Sequence, residues 1–219
     1  MKCRGMLFDL DGTLVDSLAV VERAWCRWAD RFAIPHDELL SFIHGKPAIT
    51  SLRHFMPGQP EEAVQAEFKQ LERLEAEDTE GITALPGALA LLRRLDELGV
   101  PWGIVTSGSV PVASARCQAA GIPKPKVFVT VEQVSRGKPY PEPYLLGAER
   151  LGLPAADCLV VEDAEAGIES GLAAGCRVAA VNAPAQASGL DKVDLRLHSL
   201  NELLLTPEPD GGVRVIQSV

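Results

Sequence analysis

Asp9 and Asp11 stand two residues apart in Phe8-Asp9-Leu10-Asp11-Gly12-Thr13, directly after the apolar run Met6-Leu7-Phe8. Such a run reads as a buried strand, so both carboxylates leave its carboxyl end on the same side and share one small space. Like charges held that close repel unless a cation neutralises them or one binds a proton. Each outcome is chemically useful: an ionised aspartate beside a metal can be a nucleophile, and a protonated neighbour can be a general acid. Gly12 and Thr13 supply the sharp turn that leaves both side chains accessible. An Asp-rich turn can also be merely solvated, but the end of an amino-terminal buried strand is where open α/β sheets place ligands.

Three later segments offer partners for this pair. Ile104-Val105 runs into Thr106-Ser107-Gly108-Ser109, whose hydroxyls and N–H groups suit phosphate oxygens and equally suit the capping of the next helix. Lys138, between Gly137 and Pro139, precedes a helix start and provides a counter-charge for Asp9 and for an anionic substrate. Leu159-Val160-Val161 ends in Glu162-Asp163. Carboxylates at the end of a buried strand are expensive unless solvated or metal-bound, and Mg2+ takes a few such oxygens together with water and phosphate. Asp163 can also cap the helix that follows.

The elements that must position these residues are legible in the hydrophobic rhythm. After the first strand, Leu18, Val21, Trp25, Trp28 and Phe32 recur at helical spacing, with Asp16 or Ser17 as the cap. A break at Ser41 to Pro47 leads to a helix through Ile49, Leu52 and Phe55, and Val64, Phe68, Leu71 and Leu74 mark another after Pro60. Residues 17–83 are therefore expected to be all-helical. From Leu85 onward helices alternate with short apolar strands at 102–105, 127–129, 159–161 and 178–181, and near Leu195. That alternation predicts an α/β fold, a Rossmann-like, mostly parallel sheet with helices on both faces. The core spans 1–16 and 84–219, with a helical module inserted after the first strand. The tail from Thr206 is expected to form a hairpin around Asp210-Gly211-Gly212.

Composition narrows the function. The 219 residues are 47% hydrophobic and 23% charged, ordinary for a globular protein with a full core. No apolar stretch approaches the roughly 18 residues of a membrane span, and residues 1–5 lead into the strand without a signal-peptide core, so a cytoplasmic location is expected. Five cysteines with no Cys-x-x-Cys pair argue against zinc or disulfide frameworks. A net charge of −9 disfavours nucleic acid and membrane surfaces as partners.

Asp9-x-Asp11-Gly12-Thr13, Thr106, Lys138 with its Pro-x-Pro continuation, and Glu162-Asp163 resemble the four ordered motifs of the haloacid dehalogenase superfamily of phosphotransferases. The chain is similar within it to small sugar-phosphate and polyol-phosphate phosphatases, including the hexitol-phosphate and deoxyglucose-phosphate groups. Ala164 departs from the Ser or Thr of many relatives, and Ser107 from the Asn of some. The resemblance implies a helical cap over a Rossmann-like core, and Mg2+ held by Asp9, the Asp11 carbonyl and Asp163 with Glu162 nearby. It implies Asp9 as nucleophile, Asp11 as acid and base, and Thr106, Ser107 and Lys138 around the phosphate. Specificity would come from the cap, where His44, Lys46 and Arg53 are the polar candidates. The substrate would be a small phosphorylated sugar or polyol, and the protein a monomer. A phosphomutase resembling β-phosphoglucomutase shares every core residue, and a phospho-acceptor signalling domain uses a similar set without the insertion.

Overall fold

The structure, a computed structural model, describes residues 1–43 and 46–218. His44, a candidate for substrate contact, lies outside the described residues. The amino-terminal third contains β1 (Lys2–Cys3), β2 (Gly5–Phe8), β3 (Val15–Asp16), α1 (Leu18–Asp30), α2 (His36–Ile43), α3 (Ala48–Phe55) and α4 (Glu61–Glu77). There follow β4 (Thr83–Ala84), α5 (Ala88–Glu97), β5 (Trp102–Val105), α6 (Val110–Ala120), β6 (Val127–Val129) and α7 (Glu142–Leu151). The chain continues through β7 (Cys158–Glu162), α8 (Glu165–Ala173), β8 (Arg177–Val181), β9 (Leu195–Leu197), β10 (Leu203–Pro207) and β11 (Val213–Gln217).

Six strands form one sheet in the order β6-β5-β2-β7-β8-β9, and every pairing in it is parallel. β2 sits inside it between β5 and β7, so it is covered on both faces, and this accounts for a run of apolar residues without alternation. Met6 and Phe8 join one packed layer, with Leu92 and Leu95 of α5 and Ala113 and Cys117 of α6. Leu7, one residue out of phase, joins the opposite layer with Tyr144 and Ala148 of α7 and Ile168 of α8. Burying each such large apolar side chain contributes roughly 1.5–3 kcal/mol, so the two layers clamp the strand that carries Asp9.

The inserted helices have a separate core built on Trp25, Trp28, Leu39, Leu52 and Leu71, with the two tryptophan rings edge to face at 5.6 Å. The two chain passages joining this module to the sheet pair as an antiparallel ribbon, Val15 with Ala84 and Asp16 with Thr83. Among the described residues, no helix is long and apolar enough to cross a membrane.

Three local expectations are corrected. The break placed at Ser41 begins later, because α2 runs through Ile43 and buries Leu39 and Ile43, four apart, in the module core. Ser17 is the residue before α1, but its hydroxyl makes no cap; it donates to Asp11 Oδ1 at 2.7 Å. The terminal hairpin starts at Leu203, three residues before Thr206, and Lys2–Cys3 adds a third strand to it. A two-residue strand is too short to carry a period, so pattern alone misses it.

Candidate active site

Asp9 leaves β2 and Glu162 ends β7, adjacent parallel strands in register, so both carboxylates emerge at the same sheet end. Thr106 follows β5 on the other side of β2, and Lys138 reaches in from the loop before α7. The result is a cleft of about 430 Å3 floored by Asp9, Asp11, Thr106, Ser107, Lys138, Glu162 and Asp163. Its other wall comes from the helical module: Lys46, Pro47, Ala48, Ile49 and Phe68.

Lys138 is the electrostatic centre. Its ammonium, 6% exposed, donates to Asp9 Oδ1 at 2.7 Å, Glu162 Oε1 at 2.6 Å and the Val105 carbonyl at 2.9 Å. An ammonium has three donors, so all of them are spent on the protein, and a hydrogen bond to phosphate requires one to be exchanged. Burial pulls its pKa down, but Asp9 and Glu162 more than offset that and hold it above the ordinary lysine value. Tyr144, on α7, donates to the same Glu162 Oε1 at 2.6 Å. Glu162 is thereby an anchor for Lys138, and its only slight exposure, 1%, is tolerable because both donors are in place.

Asp9 is pushed well above the usual carboxylate range by burial and by the neighbouring Glu162, with Lys138 opposing. Asp163 is pushed up to about 7, again by burial first and Glu162 second. Its carboxylate accepts from Thr13 Oγ1 at 3.0 Å. Asp9, Glu162 and Asp163 each present an oxygen within 4.8 Å of the others. Gly12, at φ +85°, lets Asp163 come against the turn: a Cβ there would overlap its carboxylate. Three crowded oxygens, two of them on carboxylates pushed toward the protonated form, make a donor set that suits a hard divalent cation.

Thr106 is 4% exposed, and its hydroxyl accepts from the Gly108 N–H at 3.0 Å, closing the turn ahead of α6. Ser107 is exposed on the cleft wall. Lys46 reaches the cleft, with its ammonium 3.7 Å over the Phe42 ring and donating to the Phe42 carbonyl at 2.8 Å. Arg53 is not brought there; it pairs with Glu61 at 2.6 Å on an exposed face of the module. Its position two residues before the end of α3 turns it toward the first turn of α4 instead.

The sequence reading missed Arg116, Glu75, Tyr144 and the roles of Thr13 and Ser17. Arg116 Nη1 lies 2.9 Å from Asp11 Oδ1 and Nη2 lies 3.2 Å from Glu75 Oε2. The available signal was an arginine on the face of α6 that also carries Val112, Ala113, Cys117 and Ala120, all buried. A charge inside an apolar stripe needs a partner.

Gly167 provides a direct check on the anchor. It sits against Glu162 so closely that a Cβ would overlap the carboxylate. Gly167→Ala is expected to displace Glu162 from Lys138 and Tyr144 and to cost about 2–4 kcal/mol of stability, read as a lowered thermal midpoint.

Residues 3–175 match the model of the haloacid dehalogenase-like hydrolases. The chain is 62% identical over 213 residues to hexitol phosphatase A of Escherichia coli (strain K12), covering 97% of this chain and 99% of that one. It is 32% identical over 191 residues to glycerol-1-phosphate phosphohydrolase 2 of Saccharomyces cerevisiae, covering 81% and 74%. A crystal structure of a hydrolase from Pseudomonas syringae superposes with a TM-score of 0.77 at 26% identity, covering 91% of this chain and 94% of that one. With its motifs converging on one cleft and the match running through most of its length, the chain belongs to the haloacid dehalogenase-like hydrolase family.

Proposed function

We propose that this chain is a Mg2+-dependent phosphatase that hydrolyses small sugar or polyol phosphates through an aspartyl-phosphate on Asp9, with residues 17–83 as the cap. The observation that carries the reading is the contact of Asp9 with Lys138 at 2.7 Å, on the floor of a cleft whose opposite wall is the helical module. The substrate class follows the 62% identical relative, a hexitol phosphatase. Asp9 and Asp163, with the Asp11 carbonyl, would hold Mg2+, while Glu162 is committed to Lys138 and Tyr144. The ion, when bound, supplies positive charge that keeps Asp9 ionised and offsets the phosphate.

Asp9 attacks phosphorus as the ester P–O bond breaks, and Asp11 gives its proton to the departing alkoxide. Asp11 then takes a proton from a water that attacks the aspartyl-phosphate, which releases inorganic phosphate and restores Asp9. Thr106 and the N–H groups of the turn after it hold the equatorial oxygens, and the charge of Lys138 stabilises them. The cap wall limits water and admits a small ester rather than a macromolecule.

A phosphate-release screen over hexitol, hexose and glycerol phosphates, with and without Mg2+, tests this. Mg2+-dependent release from a hexitol phosphate is expected; an isomerised product without release would replace the phosphatase with a mutase. Lys46→Ala is expected to raise KM for a hexitol phosphate about 5- to 10-fold, since Lys46 must leave Phe42 to meet the substrate, and to leave p-nitrophenyl phosphate unaffected. Equal losses on both would remove Lys46 from substrate selection.

A further inference from the structure

We propose that Arg116 is a positioning residue for Asp11, and that the helical module completes the arrangement by supplying Glu75. The inference rests on the phosphatase reading above. Arg116 lies on α6 of the core, whereas Glu75 lies on α4 of the module. Its side chain, 5% exposed, bridges Asp11 at 2.9 Å and Glu75 at 3.2 Å. Both carboxylates are partly buried, and the single charge of the guanidinium is shared between them.

The atoms chosen are informative. Arg116 Nη1 and Ser17 Oγ both fall on Asp11 Oδ1, at 2.9 and 2.7 Å. The ion pair and the Ser17 hydrogen bond both meet Oδ1 and hold the orientation of the carboxyl, and among the described residues no hydrogen-bond donor is set on Oδ2. Oδ2 is then the oxygen that carries the proton to the leaving group. The two carboxylates are met by different nitrogens of one planar guanidinium, a spacing that the single nitrogen of a lysine does not reproduce. Among the described residues Arg116 Nε is buried without a hydrogen-bond partner, which costs about 1–3 kcal/mol and makes a purely stabilising role a poor account of it.

Glu75 and Arg116 line, with Ser107, Gly108 and Ser109, a recess of about 100 Å3. Phe68, Ala48, Ser107, Gly108 and Val131 border both this recess and the main cleft, so the bridge runs along a wall of the substrate compartment. A module not seated on the core removes Glu75 and leaves Arg116 with Asp11 alone. Seating the module therefore contributes to the orientation of the acid and base as well as to substrate selection.

The test compares kcat/KM for sorbitol phosphate and p-nitrophenyl phosphate, in Mg2+, for the parent, Glu75→Gln, Arg116→Lys and Arg116→Met. This constant covers steps only through cleavage of the ester bond, where sorbitol needs a proton from Asp11 and p-nitrophenolate leaves without one. Glu75→Gln and both Arg116 variants are expected to lose about 10- to 100-fold on sorbitol phosphate and less than about threefold on the aryl ester. Equal loss on both esters, or no loss on either, overturns the proposal. If an Arg116 variant fails to fold, the near-isosteric Glu75→Gln decides the matter alone. A parent protein that releases phosphate from neither ester overturns the phosphatase reading instead.

Discussion

Replacing Asp9 by Asn is expected to abolish turnover, lowering kcat for a hexitol phosphate by roughly 10,000-fold or more, while the protein stays folded. The carboxamide keeps the size of the side chain and can still accept from Lys138, but its oxygen is not a nucleophile for phosphorus. Residual catalysis would come from charge and orientation alone, and losses of this order are usual when a nucleophile is removed from an intact site. Folding is expected to survive because Asp9 is a carboxylate that burial and Glu162 already push toward the neutral form. A neutral amide there relieves repulsion against Glu162 and Asp163. Two measurements check this: steady-state phosphate release, and denatured-protein trapping of the phosphoryl group, which the parent would show and Asp9→Asn would not. Near-normal release from Asp9→Asn would end the aspartyl-phosphate mechanism.

The second large effect is expected at Lys138. Lys138→Met removes the cation that meets Asp9 and Glu162 at 2.7 and 2.6 Å, and their side chains are only 12% and 1% exposed. Breaking one side of a buried ion pair typically costs about 3–5 kcal/mol, because the remaining charge is left without compensation. In a chain of this size each kcal/mol moves the thermal midpoint by about 2–4 °C, so a fall of roughly 6–20 °C should be visible. Lys138→Arg is expected to recover much of that stability, because it keeps the charge, but not the activity. The acceptors Asp9, Glu162 and Val105 surround one nitrogen at 2.6 to 2.9 Å, a tripod that an ammonium satisfies and a planar guanidinium does not. Activity should fall in both variants, in Lys138→Arg with much less loss of stability. A Lys138→Met protein that melted like the parent would show that the buried carboxylates find their compensation elsewhere.

These two residues illustrate what local pattern conveys. Asp9 announces itself because its neighbours Met6, Leu7 and Phe8 form a central strand, and the carboxyl end of such a strand is where side chains gather. Lys138 was legible as a cation fixed beside prolines, but its three acceptors lie 33, 129 and 24 residues away in the chain for Val105, Asp9 and Glu162. Arg53 shows the opposite case. A cationic residue in the inserted helices reads as a specificity candidate, yet its nearest acidic partner, Glu61, lies eight residues on and holds it at an exposed face.

The sequence by itself determined the alternation of helices and strands, the insertion after the first strand, and the strand ends that bear Asp9, Thr106 and Glu162-Asp163. Those follow from short-range periodicity and turn chemistry, which are properties of neighbouring residues. Only the tertiary structure decided which charge compensates which. It gave Glu162 to Lys138 and Tyr144, gave Asp163 to Thr13, and tied Asp11 through Arg116 to Glu75 of the module. Such pairings depend on how separate elements pack, because a buried ion takes whichever partner the fold brings within reach, whatever its distance along the chain.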